Sequence, residues 1–377
     1  MSLTDKEIDG LVEGAASSFR RCIIAAPGCS LVEADFSAIE AVIVGWFAND
    51  PTYYRLAKLG VHAYLASHAL GRPADLTWPD DKLSAYFADI KNSPDDHVQH
   101  VYLCSKKTVH GASYGLTAYG MKERMPDLFP TVASAEKFRQ LFFSLAPRVH
   151  DWQLFGQSTA AKQHYLGGPR QHPFSYKHWF WNVHNYVRID RDKALRLQAA
   201  DKPIREFNNA WFEIRLGDDA KRCVAFYPQS TAAGIIRLCG LRLFAPPAAQ
   251  EEAFDRTYPD SYIGDRYFSQ TPLRAIIHDS FLMEVPDALL ADTIDRALGE
   301  MRRPVAEMPL PWAPDENLTL DAAVKVGKNW APASDENPDG MKKWKGAAPV
   351  SEVALDSEPA EADLDDDDLD DEGEGEE

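Results

Sequence analysis

Long hydrophobic runs are missing from this 377-residue sequence: no apolar stretch approaches the ~20 residues that cross a bilayer. The first ten residues, MSLTDKEIDG, are polar and lack the apolar centre of a secretion signal. The expectation is therefore a cytoplasmic protein with no membrane partner. Cysteine is scarce. The five present (Cys22, Cys29, Cys104, Cys223 and Cys239) are odd in number and scattered, and none has CxxC spacing. That excludes a disulfide framework and a cysteine zinc site, and leaves small core residues in a reducing compartment. No internal repeat is present.

What is there is ordinary for a globular chain: 45% apolar and 26% charged residues. The net charge of −18 is unevenly placed. Residues 351–377 hold 15 of the 58 acids and no Lys or Arg, so residues 1–350 carry 43 acids against 40 basic residues, a net −3. A nearly neutral body with an acidic tail does not exclude nucleic acid, because local basic faces decide that binding.

Residues 22–36, CIIAAPGCSLVEADF, read as two short strands around a Pro27-Gly28 turn. Residues 37–48 read as a buried helix, and 59–70 and 98–115 as further helices. The Pro- and Asp-punctuated stretch 72–96 reads as a surface excursion. Residues 134–162 read as helical with a break at Pro147, and 229–244 as a helix of small and apolar residues. The stretch 165–222 gives no clear pattern. Residues 273–285 read as two strands pinched at His278-Asp279-Ser280, and 287–302 as a helix. From about 331 the composition predicts a disordered linker and tail. Strand-turn units at both ends with helices between them predict an α+β plan: an antiparallel sheet with a large helical insertion.

Two acids stand out. Asp35 ends an apolar strand, and Asp279 sits in the tight turn between IIH and SFLMEV. An acid ending a buried strand loses hydration unless something compensates. Two at neighbouring strand mouths suit a divalent cation, since magnesium takes one or two protein carboxylates plus waters and phosphates. Read singly, each is also an ordinary turn-capping Asp. Lys106, His110 and Tyr114 recur at i, i+4, i+8 on one helix face, where a cation and two rings suit a nucleotide's phosphate, base and sugar. An amphipathic helix with a solvated Lys has the same pattern.

In order, DFSAIEAVIVGWFAND, KKTVHGASYGLTAYGM, YPQSTAAGIIRL and IIHDSF resemble the ordered motifs of family A DNA polymerases, where the patterns run DYSQIELRVLAHLS, RxxxKxxxFGxxYGM, QGTAADIIKLA and VHDE. VHAYLASHALG resembles that family's IHxxTAAxxFG helix, and VKVGKNW resembles its C-terminal segment. The likeness covers residues 19–330 and looks phage-like in its divergence. It implies template-directed DNA synthesis on a primed DNA template from dNTPs. Asp35 and Asp279 would hold two Mg2+ ions, with Mn2+ as a substitute, and the Phe36 backbone carbonyl would complete one shell. Lys106 would neutralise the triphosphate and act in catalysis, with His62 reaching the same group. Glu40 would crowd the sugar 2′ position against ribonucleotides, while His110 and Tyr114 would line the nucleotide site. Gln229 would face the template-primer minor groove and His278 the primer terminus. Arg170 and Arg222, with Lys221, are candidate backbone contacts outside the motifs.

The implied organisation is an N-terminal extension (1–18), a first palm part (19–52), fingers and a connecting insertion (53–225), a second palm part (226–330) and a disordered acidic tail (331–377). Three positions depart from the pattern: Tyr102 where the family has Arg, His110 where it has an aromatic, and Ser280 where it has Glu. No thumb is expected, because only about 18 residues precede the matching hairpin. A separate thumb or exonuclease chain is the expectation that follows, with a truncated fragment as the alternative; the acidic tail reads either as a solubilising appendage or as a segment that binds a basic replication partner or folds back over the DNA groove. The HDS form also resembles single-subunit RNA polymerases, so RNA synthesis is one alternative. A non-catalytic DNA-binding subunit that kept the fold is the other.

Overall fold

The computed structural model describes residues 19–200, 202–244 and 272–346. In chain order the first elements are β1 (Cys29–Ser37), α1 (Ile39–Phe47), α2 (Pro51–Leu59), α3 (Val61–Ala69), α4 (Asp80–Lys91), α5 (Asp96–Ser113), α6 (Ala118–Arg124), α7 (Val132–Leu145) and α8 (Pro147–Gln163). Next come β2 (Tyr165–Gly167), β3 (Lys177–Trp179), β4 (His184–Ile189), α9 (Arg191–Ala199), β5 (Ile204–Phe207), β6 (Ala210–Leu216) and α10 (Asp219–Phe244). The last are β7 (Leu273–Ile277), β8 (Ser280–Pro286), α11 (Leu290–Met301), β9 (Val305–Leu310), β10 (Ala313–Leu318), β11 (Asp321–Gly327) and β12 (Lys342–Lys343). The mixture of helix and antiparallel sheet agrees with the α+β expectation. Among the described residues no helix is long and apolar enough to cross a membrane.

The described residues divide into two compact units, one of residues 19–36, 239–244, 272–301 and 322–346 and the other of 37–200, 202–238 and 302–321. The first is built on a sheet of order β12-β11-β1-β8-β7. A turn at Pro27-Gly28 starts β1: Gly28 takes φ 77° and the Cys29 amide closes on the Ala26 carbonyl at 3.0 Å. Proline then glycine at the two central turn positions is what such geometry needs. β1 pairs antiparallel with β8 over seven residues, placing Asp35 opposite Ser280. Leu31 and Leu282 meet Met341, Trp330 and Ile277 in one apolar cluster. Phe281 packs on Phe244, ring centroids 5.4 Å apart.

Two expectations fail in this unit. Residues before the turn form no strand with β1; they pair with 328–330 through Ala25 N–H to Lys328 O (2.9 Å) and Trp330 N–H to Ile23 O (3.0 Å). And order does not stop at 331. Asn329 and Asn337 exchange side-chain amide bonds of 2.8 and 2.9 Å in a buried position, and Met341 is core. Polar composition hid a segment held by buried amide pairing. The acidic run 351–377 and the segment 1–18 lie outside the described residues.

The second unit is mainly helical. α1 buries Ile39, Val42, Ile43 and Val44. Gly45 lets α2 approach, since a Cβ there would lie 2.8 Å from the Tyr54 Cα. Asp50 caps α2 by accepting from the Tyr53 amide at 2.9 Å, with Pro51 in the first turn. Asp95 caps α5 in the same way, accepting from His97 and Val98. The expected excursion 72–96 instead contains α4. Its Leu83, Phe87 and Ile90 recur at i, i+4, i+7 and are all buried, a helical stripe behind the punctuation of Pro79 and the acids. The patternless stretch 165–222 folds as a β2–β3 hairpin and a three-stranded sheet of order β4-β6-β5, and α10 begins at Asp219, ten residues before the expected 229.

Candidate active site

The acids Asp35 and Asp279 both belong to the first unit. β7 and β8 are joined by the two-residue loop His278-Asp279, with Ile277 facing Ser280. His278 takes the left-handed conformation (φ 50°) that a tight hairpin requires of a loop residue. The Phe36 amide donates to the Asp279 carbonyl at 3.2 Å, extending the β1–β8 ladder one step past Asp35. The register thus brings the two carboxyls within hydrogen-bonding reach of each other.

This pair is electrostatically unfavourable when empty of cations. Burial, then the charges of Asp279 and Glu33, push the Asp35 carboxyl up to about 8, and Lys325 pulls it back only in part. Asp35 Oδ1 is buried and accepts no hydrogen bond among the described residues. Glu33 was not singled out from the sequence. It stands two residues before Asp35 on β1 and accepts from the Trp330 indole at 3.0 Å. Among the described residues no cluster of three or more His, Cys, Asp or Glu forms a ready metal cage. An orphaned carboxylate oxygen beside a second acid fits an oxygen-seeking cation that draws its other ligands from substrate and water, the habit of magnesium. Ser280, the departure from Glu, donates its hydroxyl to the Ile277 carbonyl at 3.0 Å and so closes the hairpin. His278 is exposed at its tip.

A second constellation lies wholly in the second unit. Glu40 on α1 accepts a hydrogen bond from the hydroxyl of Tyr114, at the C-terminal end of α5. The His110 ring meets the Tyr114 ring edge to face at 5.3 Å. His62, on α3, is pushed down to about 3, first by burial and then by Lys106, His110 and Lys91. It is therefore neutral at physiological pH, beside an exposed Lys106. Gln153 of α8 escaped sequence reasoning. It is buried and donates to the carbonyls of Ala112 and Ser113, 2.8 Å each, fixing the end of α5 that carries Tyr114. A lone Gln on an amphipathic helix carries no signal of that role.

Other candidates gather no such constellation. Gln229 and Arg170 are exposed. Arg222 is exposed and pairs with Asp219 at 3.8 Å within α10.

No protein-family model matches the sequence. No curated protein matches it either. Among solved structures the chain is similar to the POL domain of Pol1 from M. smegmatis in complex with DNA primer-template and dNTP, with a TM-score of 0.52 and 18% identity over 84% of this chain. That likeness shows that the chain shares the fold of that domain. The chain spans 43% of the length of that structure's chain.

Proposed function

We propose that the chain is the catalytic part of a DNA polymerase, using dNTPs to extend a primer on a DNA template. The observation that carries the proposal is the Asp35–Asp279 pair, two acids 244 positions apart in sequence set side by side by one strand register, with an orphaned buried oxygen. The shared fold and the solved neighbour's ligands, primer-template and dNTP, support the same reading.

In this reading the first unit serves as the palm and the helices of the second as the fingers, with no thumb among the described residues. Asp35 and Asp279 would hold the magnesium, with the Phe36 backbone carbonyl offering a further oxygen. When bound, the metal lowers the cost of ionising the primer 3′-hydroxyl and neutralises charge building on the leaving pyrophosphate. The primer oxygen bonds to the α-phosphorus, the bond to pyrophosphate breaks, and the hydroxyl proton passes to solvent. Lys106 and the neutral His62 hold the triphosphate by donated hydrogen bonds, Lys106 meeting the charge that grows as pyrophosphate departs. By the resemblance, the Glu40 carboxylate, held by the Tyr114 hydroxyl, would exclude a sugar 2′-hydroxyl. That contact favours deoxynucleotides and argues against the RNA polymerase alternative. Gln229, His278, Arg170 and Arg222 are assigned to DNA on the resemblance and on exposure. A thumb or exonuclease on a separate chain remains part of the proposal, tested by adding candidate partner chains.

The test is primer extension by the full chain with magnesium. Labelled primer should lengthen with dNTPs, release pyrophosphate, and gain little with rNTPs. No extension on any primed template, in magnesium or manganese, with or without partner chains, refutes the reading.

A further inference from the structure

The β2–β3 hairpin of the second unit presents an aromatic row that the proposed reaction does not use. Along β3 and just beyond it, Lys177, Trp179 and Trp181 share one face by the two-residue strand period, while Phe180 turns into the core. Trp179 is 50% exposed and Trp181 72%. Four rings follow one another: Tyr165 to Trp179 at 5.3 Å, Trp179 to Trp181 at 5.7 Å with planes 4° apart, and Trp181 to His164 at 5.5 Å with planes 22° apart. The Lys177 ammonium lies over two of them, 3.9 Å from the Tyr165 centroid and 4.4 Å from that of Trp179.

Hairpin stability accounts for part of this row. Tyr165 faces Trp179 directly across the ladder, a stabilising cross-strand pair. It does not account for Trp181, which lies past the last paired residue and leaves most of its ring in water. Nor is Trp181 loosely placed. Its amide and that of Asn182 donate to Asp219 at 2.8 and 2.9 Å, which fixes the backbone beneath the outermost indole. The charge around the row is also distinctive. Residues 162–217 contain ten Lys and Arg against five Asp and Glu, in a chain whose net charge is −18.

We infer that this row is a stacking platform for single-stranded nucleic acid. Bases lie against the indoles of Trp179 and Trp181, and Lys177 draws the adjoining phosphate. Exposed aromatic rings interleaved with cations are what unpaired bases on a charged backbone require. A duplex keeps its base faces covered and gains only the charge. The inference goes beyond the proposed reaction and does not rest on it, since binding would occur whether or not the chain polymerises.

The test uses the full chain and fluorescence anisotropy of labelled oligo(dT), with a duplex of equal length as control. Trp179→Ala/Trp181→Ala should weaken oligo(dT) binding by about 10-fold or more and duplex binding by less than about two-fold. Trp179→Phe/Trp181→Phe keeps the rings and should stay within about three-fold of the wild type. Trp181→Ala alone touches no ladder pair, so it keeps the hairpin, and should cost about five-fold. Lys177→Gln should flatten the salt dependence. The inference is overturned if the wild type does not bind oligo(dT) at low salt. It is also overturned if Trp181→Ala leaves affinity unchanged, if the Phe variant loses as much as the Ala variant, or if duplex and single strand lose equally, the last pointing to charge alone or to a protein-binding face.

Discussion

At the scale of single residues, proton and cation compete for the same oxygens of Asp35, whose carboxyl burial and two acids hold near 8. Metal affinity should therefore rise with pH up to about 8 and level off beyond it, read by titration of manganese at several pH values. Without metal the sign is also fixed. The folded chain keeps a proton that the unfolded chain loses near pH ~4, so this residue's contribution to stability falls as pH rises from there through about 8. Denaturant unfolding in chelator should show Asp35→Asn gaining on the wild type between pH 5 and pH 9 by on the order of 1–3 kcal/mol. A pH-independent difference would contradict the burial argument. Glu40→Ala should relax discrimination against rNTPs by about 10-fold or more while dNTP incorporation persists, measured by competing single incorporations. Unchanged discrimination removes Glu40 from that role. Asp35 and Asp279 drew notice in the sequence as acids at strand ends, each also readable as a turn-capping Asp, and only the strand register brings them together. Glu33 drew none, since on an alternating strand it reads as a solvated residue until Trp330 is seen to hold it.

Elements tell a second story, in which local patterns were readable and long-range pairings were not. The helix carrying Lys106 and His110 was readable from the i, i+4, i+8 spacing of Lys106, His110 and Tyr114, and β7–β8 from the pinch at His278-Asp279. The stretch before β1 looked like a hairpin partner by local rules, yet it pairs with residues 328–330, a contact across about 300 positions that no local rule contains. The end of α5 depends on Gln153 in the same non-local way. Gln153→Leu leaves the Ala112 and Ser113 carbonyls buried without that donor and should cost about 1–3 kcal/mol of stability by denaturant unfolding. It should also loosen Tyr114 and, with it, the hold on Glu40, so rNTP discrimination should weaken in the same direction as in Glu40→Ala. Loss of stability with discrimination intact would make Gln153 a packing residue only.

Across the whole molecule, charge and chemistry are segregated. Residues 1–350 carry a net charge of −3, and residues 351–377 hold 15 acids and no Lys or Arg. A polyanion tethered to a nucleic-acid-binding body competes for its basic surfaces, and salt screens that competition. Deleting 351–377 should raise DNA affinity, most strongly at low salt, by anisotropy at two ionic strengths; no change at either makes the tail a solubilising appendage. Overall class was legible because strand-turn units bracket helical periodicity. The division into two units was not, because 302–321 returns to the helical unit as the β9–β10 hairpin, tied by Trp46 to the Pro309 carbonyl at 2.9 Å. The central claim is that Asp35 and Asp279 together perform nucleotidyl transfer. Single-turnover incorporation of one dNTP by Asp35→Asn and Asp279→Asn, with DNA binding measured on the same samples, tests it most directly. The account predicts that each substitution lowers the incorporation rate by about 1,000-fold or more while primer-template affinity stays within a few-fold. Incorporation near the wild-type rate in either variant would contradict it.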